Sequence, residues 1–139
     1  LIPDYMRFLI NKGNFVLRGN GKNIRDFLFI DDVIDLYLVM AKKLYTNPKK
    51  LKGEAFNAGT NEPKKIKDVI QSIHKITKSK KNIKKIFKNS SKNITKGEID
   101  CQYMDYKKVN KFFGWKPRSK FEESVKKTFD WYKKNIGKL

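Results

Sequence analysis

Apolar residues run along this chain in short blocks whose spacing changes from one block to the next. Tyr5, Met6, Phe8, Leu9 and Ile10 follow Pro3 and predict a short helix over residues 1–12, with proline in its first turn. Lys12-Gly13-Asn14 ends it. Phe15-Val16-Leu17 predicts a strand, and Gly19-Asn20-Gly21, whose glycines admit positive φ, can fold it back toward Asn23-Ile24-Arg25. Phe27-Leu28-Phe29-Ile30 is apolar without a break and predicts a short buried strand. Asp31 and Asp32 stand where carboxylates can accept the free amides of a new helix, over residues 32 to about 45. That helix is apolar over most of its surface, so burial on more than one side and a missing neighbour are expected.

Further along, Glu54 to Ala58 predicts a strand leading into a turn-rich segment over 59–63. Ile66, Val69, Ile70, Ile73 and Ile76 lie three and four apart, the spacing of one helix face, with His74 toward its polar side as a solvated histidine. Ile83, Ile86 and Phe87 predict a short strand, and Ser90 to Lys96 a loop. Asp105 is expected to cap a helix with Val109, Phe112 and Phe113 inward, stopped by Gly114. Ser119 and Glu122 have the spacing of a capping box for a last helix presenting Phe121, Val125, Phe129, Tyr132 and Ile136. Alternation of strands and helices through the first 77 residues argues for an α/β arrangement.

Composition sharpens this picture in one respect. The 139 residues carry a net charge of +19, and lysine supplies 29 of the 33 basic groups. The excess is uneven: +2 over residues 1–47, +10 over 48–100 and +7 over 101–139. Such a field favours anionic partners. Yet only Arg7, Arg18, Arg25 and Arg118 are arginines, and no reading helix or interleaved aromatics mark specific nucleic-acid recognition. A stand-alone basic module for nucleic acid or another anion is therefore the competing reading, behind a solvated lysine surface. One cysteine, Cys101, excludes an intrachain disulfide framework and a multi-cysteine zinc site. No apolar run approaches the roughly 20 residues of a membrane span, no signal peptide is evident, and a cytoplasmic location is expected. The chain starts at Leu1 inside an amphipathic segment, which predicts a fragment of something longer.

Arg25 is the residue with the clearest chemical use. Its planar fork of donors suits bidentate contact with a diphosphate. On residue chemistry alone, a salt bridge to Asp26, Asp31 or a neighbouring chain stands level with that role. Arg18, across the glycine turn, could reach the same anion or point into water. Asp31, Asp32 and Asp35 fit helix-start electrostatics better than acid–base work. No strand followed by Gly-x-Gly-x-x-Gly opens a nucleotide-binding unit. Tyr45 with Lys49 and Tyr103 with Lys107 have tyrosine–lysine spacing, but neither pair is expected inside one helix. One histidine and one cysteine support no Ser-His-Asp, Cys-His or metal constellation.

Three segments carry a resemblance. They are Gly21-x-x-x-Arg25-Asp26-Phe27-Leu28-Phe29-Ile30-Asp31-Asp32-Val33, Gly53-Glu54-Ala55-Phe56-Asn57-Ala58-Gly59, and Phe113-Gly114-Trp115-Lys116-Pro117, the last followed by Phe121-Glu122-Glu123 and Trp131-Tyr132. In this order they resemble the C-terminal part of an extended short-chain dehydrogenase/reductase of the NAD-dependent nucleotide-sugar epimerase/dehydratase family, with a CDP-glucose 4,6-dehydratase-like member as the specific expectation. The implied fold is α/β: residues 1–139 as the C-terminal nucleotide-sugar-binding portion, lacking most of the Rossmann domain. The resemblance implies that Arg25 binds the substrate diphosphate and that Arg18 and the segment 15–17 lie near the nucleotide. Relatives carry a second phosphate-binding arginine shortly before the stretch matching Glu98 to Asp105, where this chain offers Lys96. Asn57 resembles a structural position. NAD and the Tyr-x-x-x-Lys pair would belong to an N-terminal Rossmann half, so this portion is expected neither to bind NAD nor to turn over alone. The partners implied are a nucleotide-diphosphate sugar, that missing half and a homodimer of the full enzyme. The reaction is a 4,6-dehydration, with 4-epimerisation as the alternative.

Overall fold

The computed structural model describes residues 1–11, 13–90 and 97–138. In chain order the elements are α1 (Ile2–Ile10), β1 (Ile24–Arg25), α2 (Ile30–Thr46), α3 (Pro48–Leu51), β2 (Lys64–Lys65), α4 (Ile66–Ile76), α5 (Ile83–Ser90), β3 (Cys101–Gln102), α6 (Lys107–Phe113) and α7 (Phe121–Asn135), with a final 3₁₀ turn over Ile136–Lys138. Three two-residue strands form a sheet in the order β2-β1-β3. The α/β expectation holds, but helices dominate. The chain divides into two compact units: Leu1–Ile24, Lys64–Cys101 and Lys120–Leu139 make the first, and Arg25–Pro63 with Gln102–Ser119 the second.

The first unit is a helical cluster around Tyr5, Met6, Leu17, Val69, Ile70, Ile73, Ile86 and Val125, all buried. α7 packs against α1 and α4. The i, i+3, i+4 spacing of α4 places its branched side chains inward, as its sequence predicts. Phe15 to Leu17 is not a strand. Phe15 instead meets the Tyr5 ring edge-on at 4.9 Å, so side-chain packing and not a backbone ladder holds the segment. α5 replaces the strand expected around Ile83, Ile86 and Phe87; their three-and-one spacing also fits a helix face, and Asn82 Oδ1 accepts the Lys85 amide at 3.1 Å at its start. His74 is half-buried and not simply solvated, because its Nδ1 lies 3.1 Å from the Tyr5 hydroxyl. Burial pushes the Tyr5 phenol up to about 12. The loop expected at Ser90 to Lys96 falls, beyond Ser90, outside the described residues.

The second unit is smaller in its core. Leu36, Val109 and Trp115 are buried, with Leu28, Met40, Phe56, Tyr106 and Phe113 packed around them. The strands expected at 27–30 and 54–58 are irregular, apart from Ile30, which opens α2. Leu28 and Phe56 each contribute a side chain to the core, and Phe56 meets Phe113 edge-on at 4.8 Å. Gly114 stops α6 at φ 67, as expected, and Asp105 Oδ1 accepts the Lys107 amide at 2.7 Å at the helix start. That amide bond is the leading cause holding the Asp105 carboxyl below its ordinary range.

Two helix starts differ from expectation. α2 begins at Ile30, placing Asp31 and Asp32 in its first turn. The buried Asp32 carboxylate accepts the backbone amides of Arg118 at 3.0 Å and Ser119 at 3.2 Å, tying the 118–119 segment to α2 instead of capping α2 itself. With Ser119 so held, α7 starts after Lys120 with no side-chain cap, and the capping box does not form. α2 is also not buried on several sides. Only Asp32 and Leu36 are buried in it, while Ile30, Ile34, Tyr37, Leu38, Leu44 and Tyr45 are exposed.

Candidate functional site

Arg25, half-buried, lies in the central strand β1 and opens the second unit. The residue after it is fixed by a long-range contact. Asp26 Oδ2 accepts the Thr60 amide at 2.8 Å, and its Oδ1 accepts the Thr60 hydroxyl. Thr60 Oγ1 in turn accepts the Glu62 amide at 3.1 Å. Gly59 makes this approach feasible: a Cβ there would stand 2.2 Å from the Met104 carbonyl oxygen and 2.3 Å from Asp26 Oδ2. Asn61 follows in the left-handed region at φ 57. Sequence reasoning identified a turn over 59–63 but not its attachment to Asp26. The only signal was a glycine–threonine pair inside that turn.

The first unit holds the turn that precedes β1. Gly19 and Gly21 both have positive φ, +69 and +73, and Asn20 Oδ1 accepts the Lys22 amide at 2.9 Å. Asn23 Nδ2 donates to the Ile99 carbonyl at 3.2 Å, the Ile24 amide to the Asp100 carbonyl at 2.7 Å, and the Lys67 amide to the Gly21 carbonyl at 2.9 Å. A pocket of about 360 Å³ opens here, lined by Gly19, Asn20, Lys22, Asn23, Ile24, Glu98, Asp100 and Cys101. Its amides and carboxylates suit hydroxyl-bearing ligands better than a bare phosphate. A second, apolar hollow of about 310 Å³ lies in the second unit between α2, α3 and Phe113.

Of the residues expected to bind substrate, Arg25 belongs to the second unit and Arg18 to the first, where it is exposed. Lys96 lies outside the described residues. Asn57 is exposed in an irregular segment. Tyr45 and Lys49 fall in α2 and α3, and Tyr103 precedes the α6 that starts at Lys107, so neither pair shares a helix. Among the described residues no group of three or more His, Cys, Asp or Glu side chains is arranged to hold a metal, and no helix is long and apolar enough to cross a membrane.

A family model described as GDP-mannose 4,6 dehydratase matches residues 2–128. The chain belongs to this family. It thereby joins the NAD-dependent nucleotide-sugar epimerases and dehydratases of the extended short-chain dehydrogenase/reductase group. It is 31% identical over 141 residues to dTDP-D-glucose 4,6-dehydratase of Mus musculus, covering 98% of this chain and 37% of that one. A trifunctional UDP-glucose 4,6-dehydratase/UDP-4-keto-6-deoxy-D-glucose 3,5-epimerase/UDP-4-keto-L-rhamnose-reductase of Arabidopsis thaliana is 29% identical, over 97% of this chain and 18% of its own length. The crystal structure of UDP-glucose 4-epimerase with UDP-glucose from Thermotoga maritima shares the fold, with a TM-score of 0.77 at 22% identity over 97% of this chain and 40% of that one. dTDP-glucose 4,6-dehydratase from Bacillus anthracis, solved in complex with NAD, gives a TM-score of 0.71 at 24% identity, over 99% of this chain and 40% of that one. The family chain described here thus spans well under half the length of these relatives. The likenesses establish the family and not a CDP-glucose dehydratase in particular.

Proposed function

We propose that residues 1–139 form the substrate-binding portion of an NAD-dependent nucleotide-sugar 4,6-dehydratase, with Arg25 on the substrate diphosphate. The observation that carries this reading is the position of Arg25: on the central strand, inside the family-matching segment, with the next residue locked in place. A guanidinium anchored there can offer two parallel N–H donors to non-bridging phosphate oxygens. Arg18 and Lys96 are the further basic residues that this reading assigns to the substrate. CDP-glucose stands beside dTDP-, UDP- and GDP-linked sugars as a candidate substrate, and a 4-epimerase portion is the alternative.

The exposed side chains Ile30, Ile34, Tyr37, Leu38, Leu44 and Tyr45 of α2 support the rest of the reading, a Rossmann half packed on that helix. NAD would supply a hydride acceptor for the sugar. In this reading NAD is held mainly by that half; within residues 1–139 the Gly19-Asn20-Gly21 turn runs into β1 and not into a helix N-terminus. The task of this portion is to bind and orient, with Arg25 fixing the diphosphate.

Calorimetric titration of the protein with CDP-glucose, dTDP-glucose, UDP-glucose and GDP-mannose tests the proposal. One nucleotide sugar is expected to bind selectively, and Arg25→Ala to weaken it at least about thirtyfold. Undiminished binding by Arg25→Ala would overturn the site. No binding of any of the four, with steeply salt-dependent RNA binding, would favour the basic-module reading.

A further inference from the structure

We propose that Thr60 is a positioning residue for Arg25, acting through Asp26. The inference rests on the proposed diphosphate role of Arg25. It adds a residue 34 positions beyond Asp26 that need not touch the ligand.

The argument starts from the direction of each hydrogen bond. The Glu62 amide donates to Thr60 Oγ1 at 3.1 Å, which leaves the hydroxyl proton to point at Asp26 Oδ1. The Thr60 amide donates to the other oxygen at 2.8 Å. Both carboxylate oxygens therefore face donors from one residue, and the Glu62–Thr60–Asp26 relay polarises in a single sense. Beside the carboxylate stands the backbone of Gly59, close enough that no Cβ fits. The carboxylate is held by two donors from Thr60, with the Gly59 main chain packed against the same oxygen that accepts the Thr60 amide.

Holding Asp26 holds Arg25. The two share a planar peptide, and Arg25 is also held in the central strand β1, so a fixed Asp26 restricts the remaining rotation of the Arg25 backbone. The clamp also acts on charge. A carboxylate whose lone pairs accept from Thr60 competes less with a phosphate for the neighbouring guanidinium. Both effects lower the reorganisation that anion binding would otherwise require.

The test is a double-mutant cycle on Thr60 and Arg25, read by calorimetry with UDP, dTDP, GDP and CDP, at a temperature where every variant is folded by near-UV circular dichroism. Thr60→Val removes the hydroxyl donor at nearly constant volume and is expected to weaken the diphosphate that wild type binds on the order of tenfold. Thr60→Ser keeps the hydroxyl and is expected to stay within about twofold of wild type. In an Arg25→Ala background, Thr60→Val is expected to cost nothing more, because its effect runs through Arg25. Equal weakening by Thr60→Ser and Thr60→Val, or an undiminished effect of Thr60→Val without Arg25, would overturn the inference. If Thr60→Val does not fold, Asp26→Asn takes its place, with the same loss expected and the same absence of loss without Arg25. Binding that Arg25→Ala leaves untouched would sink the underlying site instead, so the two failures are distinct.

Discussion

The two units distribute their apolar residues in opposite ways. Among the described residues, the first buries eight hydrophobic side chains and exposes three large ones, Val16, Ile99 and Trp131. The second buries three, Leu36, Val109 and Trp115, and exposes eight, six of them on α2. The first unit closes a core of its own. The second keeps much of its apolar surface outside, where a surface of this kind marks an interaction site more often than chance. Closed packing and exposed apolar surface thus fall in different parts of one chain.

The contrast can be broken most forcefully in the first core. Ile70→Ala removes a fully buried side chain, and a loss of about 3–4 kcal/mol in a urea melt is expected. Gly59→Ala strikes the second unit, where a Cβ meets backbone at 2.2 Å; about 2–3 kcal/mol is expected, with proteolysis showing cleavage in 25–63 before the α4 region. Asp32→Ala leaves the amides of Arg118 and Ser119 without their acceptor, and about 1–2 kcal/mol should be lost in the same melt.

Alkaline pH should act on the first unit. Tyr5 keeps its proton to about 12 in the folded chain, whereas the unfolded chain loses it near 10, so folded-state stability is fully present below 10 and falls as pH rises through that window. Tyr5→Phe should flatten that part of a pH–stability profile. The smallest effect is the most informative about α2: Leu38→Ser should change the melt by less than about 0.5 kcal/mol, because its side chain is already 66% exposed. A loss of several kcal/mol there would erase the contrast between the units.

Long, regularly spaced helices were legible before any coordinates. α4 and α7 have three- and four-residue spacing over two or more turns, and Pro3 and Gly114 mark a start and a stop that the chain obeys. Short apolar runs were not. Phe27 to Phe29 and Glu54 to Ala58 read as strands because periodicity over so few residues cannot separate a strand from an irregular segment that lends one side chain to a core. Ile83, Ile86 and Phe87 failed the other way, their helix spacing thinned by intervening lysines. At the candidate site, the glycine turn before Arg25 and the helix after it were legible from the local motif. Thr60 was not, because its partner lies 34 residues earlier and nothing in the intervening sequence encodes the pairing. Asp32 and His74 teach the same point: a polar residue next to a helix start, or on its polar side, is assigned locally until a distant amide or hydroxyl claims it.

The tryptophans give each unit its own optical signature. Trp115 sits in the second unit at 3% exposure, its indole N–H without an acceptor among the described residues, while Trp131 sits in the first at 52%. An indole in such dry surroundings emits toward the blue and resists aqueous quenchers; the other emits to the red and yields to iodide. One emission spectrum, decomposed into these two bands, follows the unfolding of each unit separately without any added label.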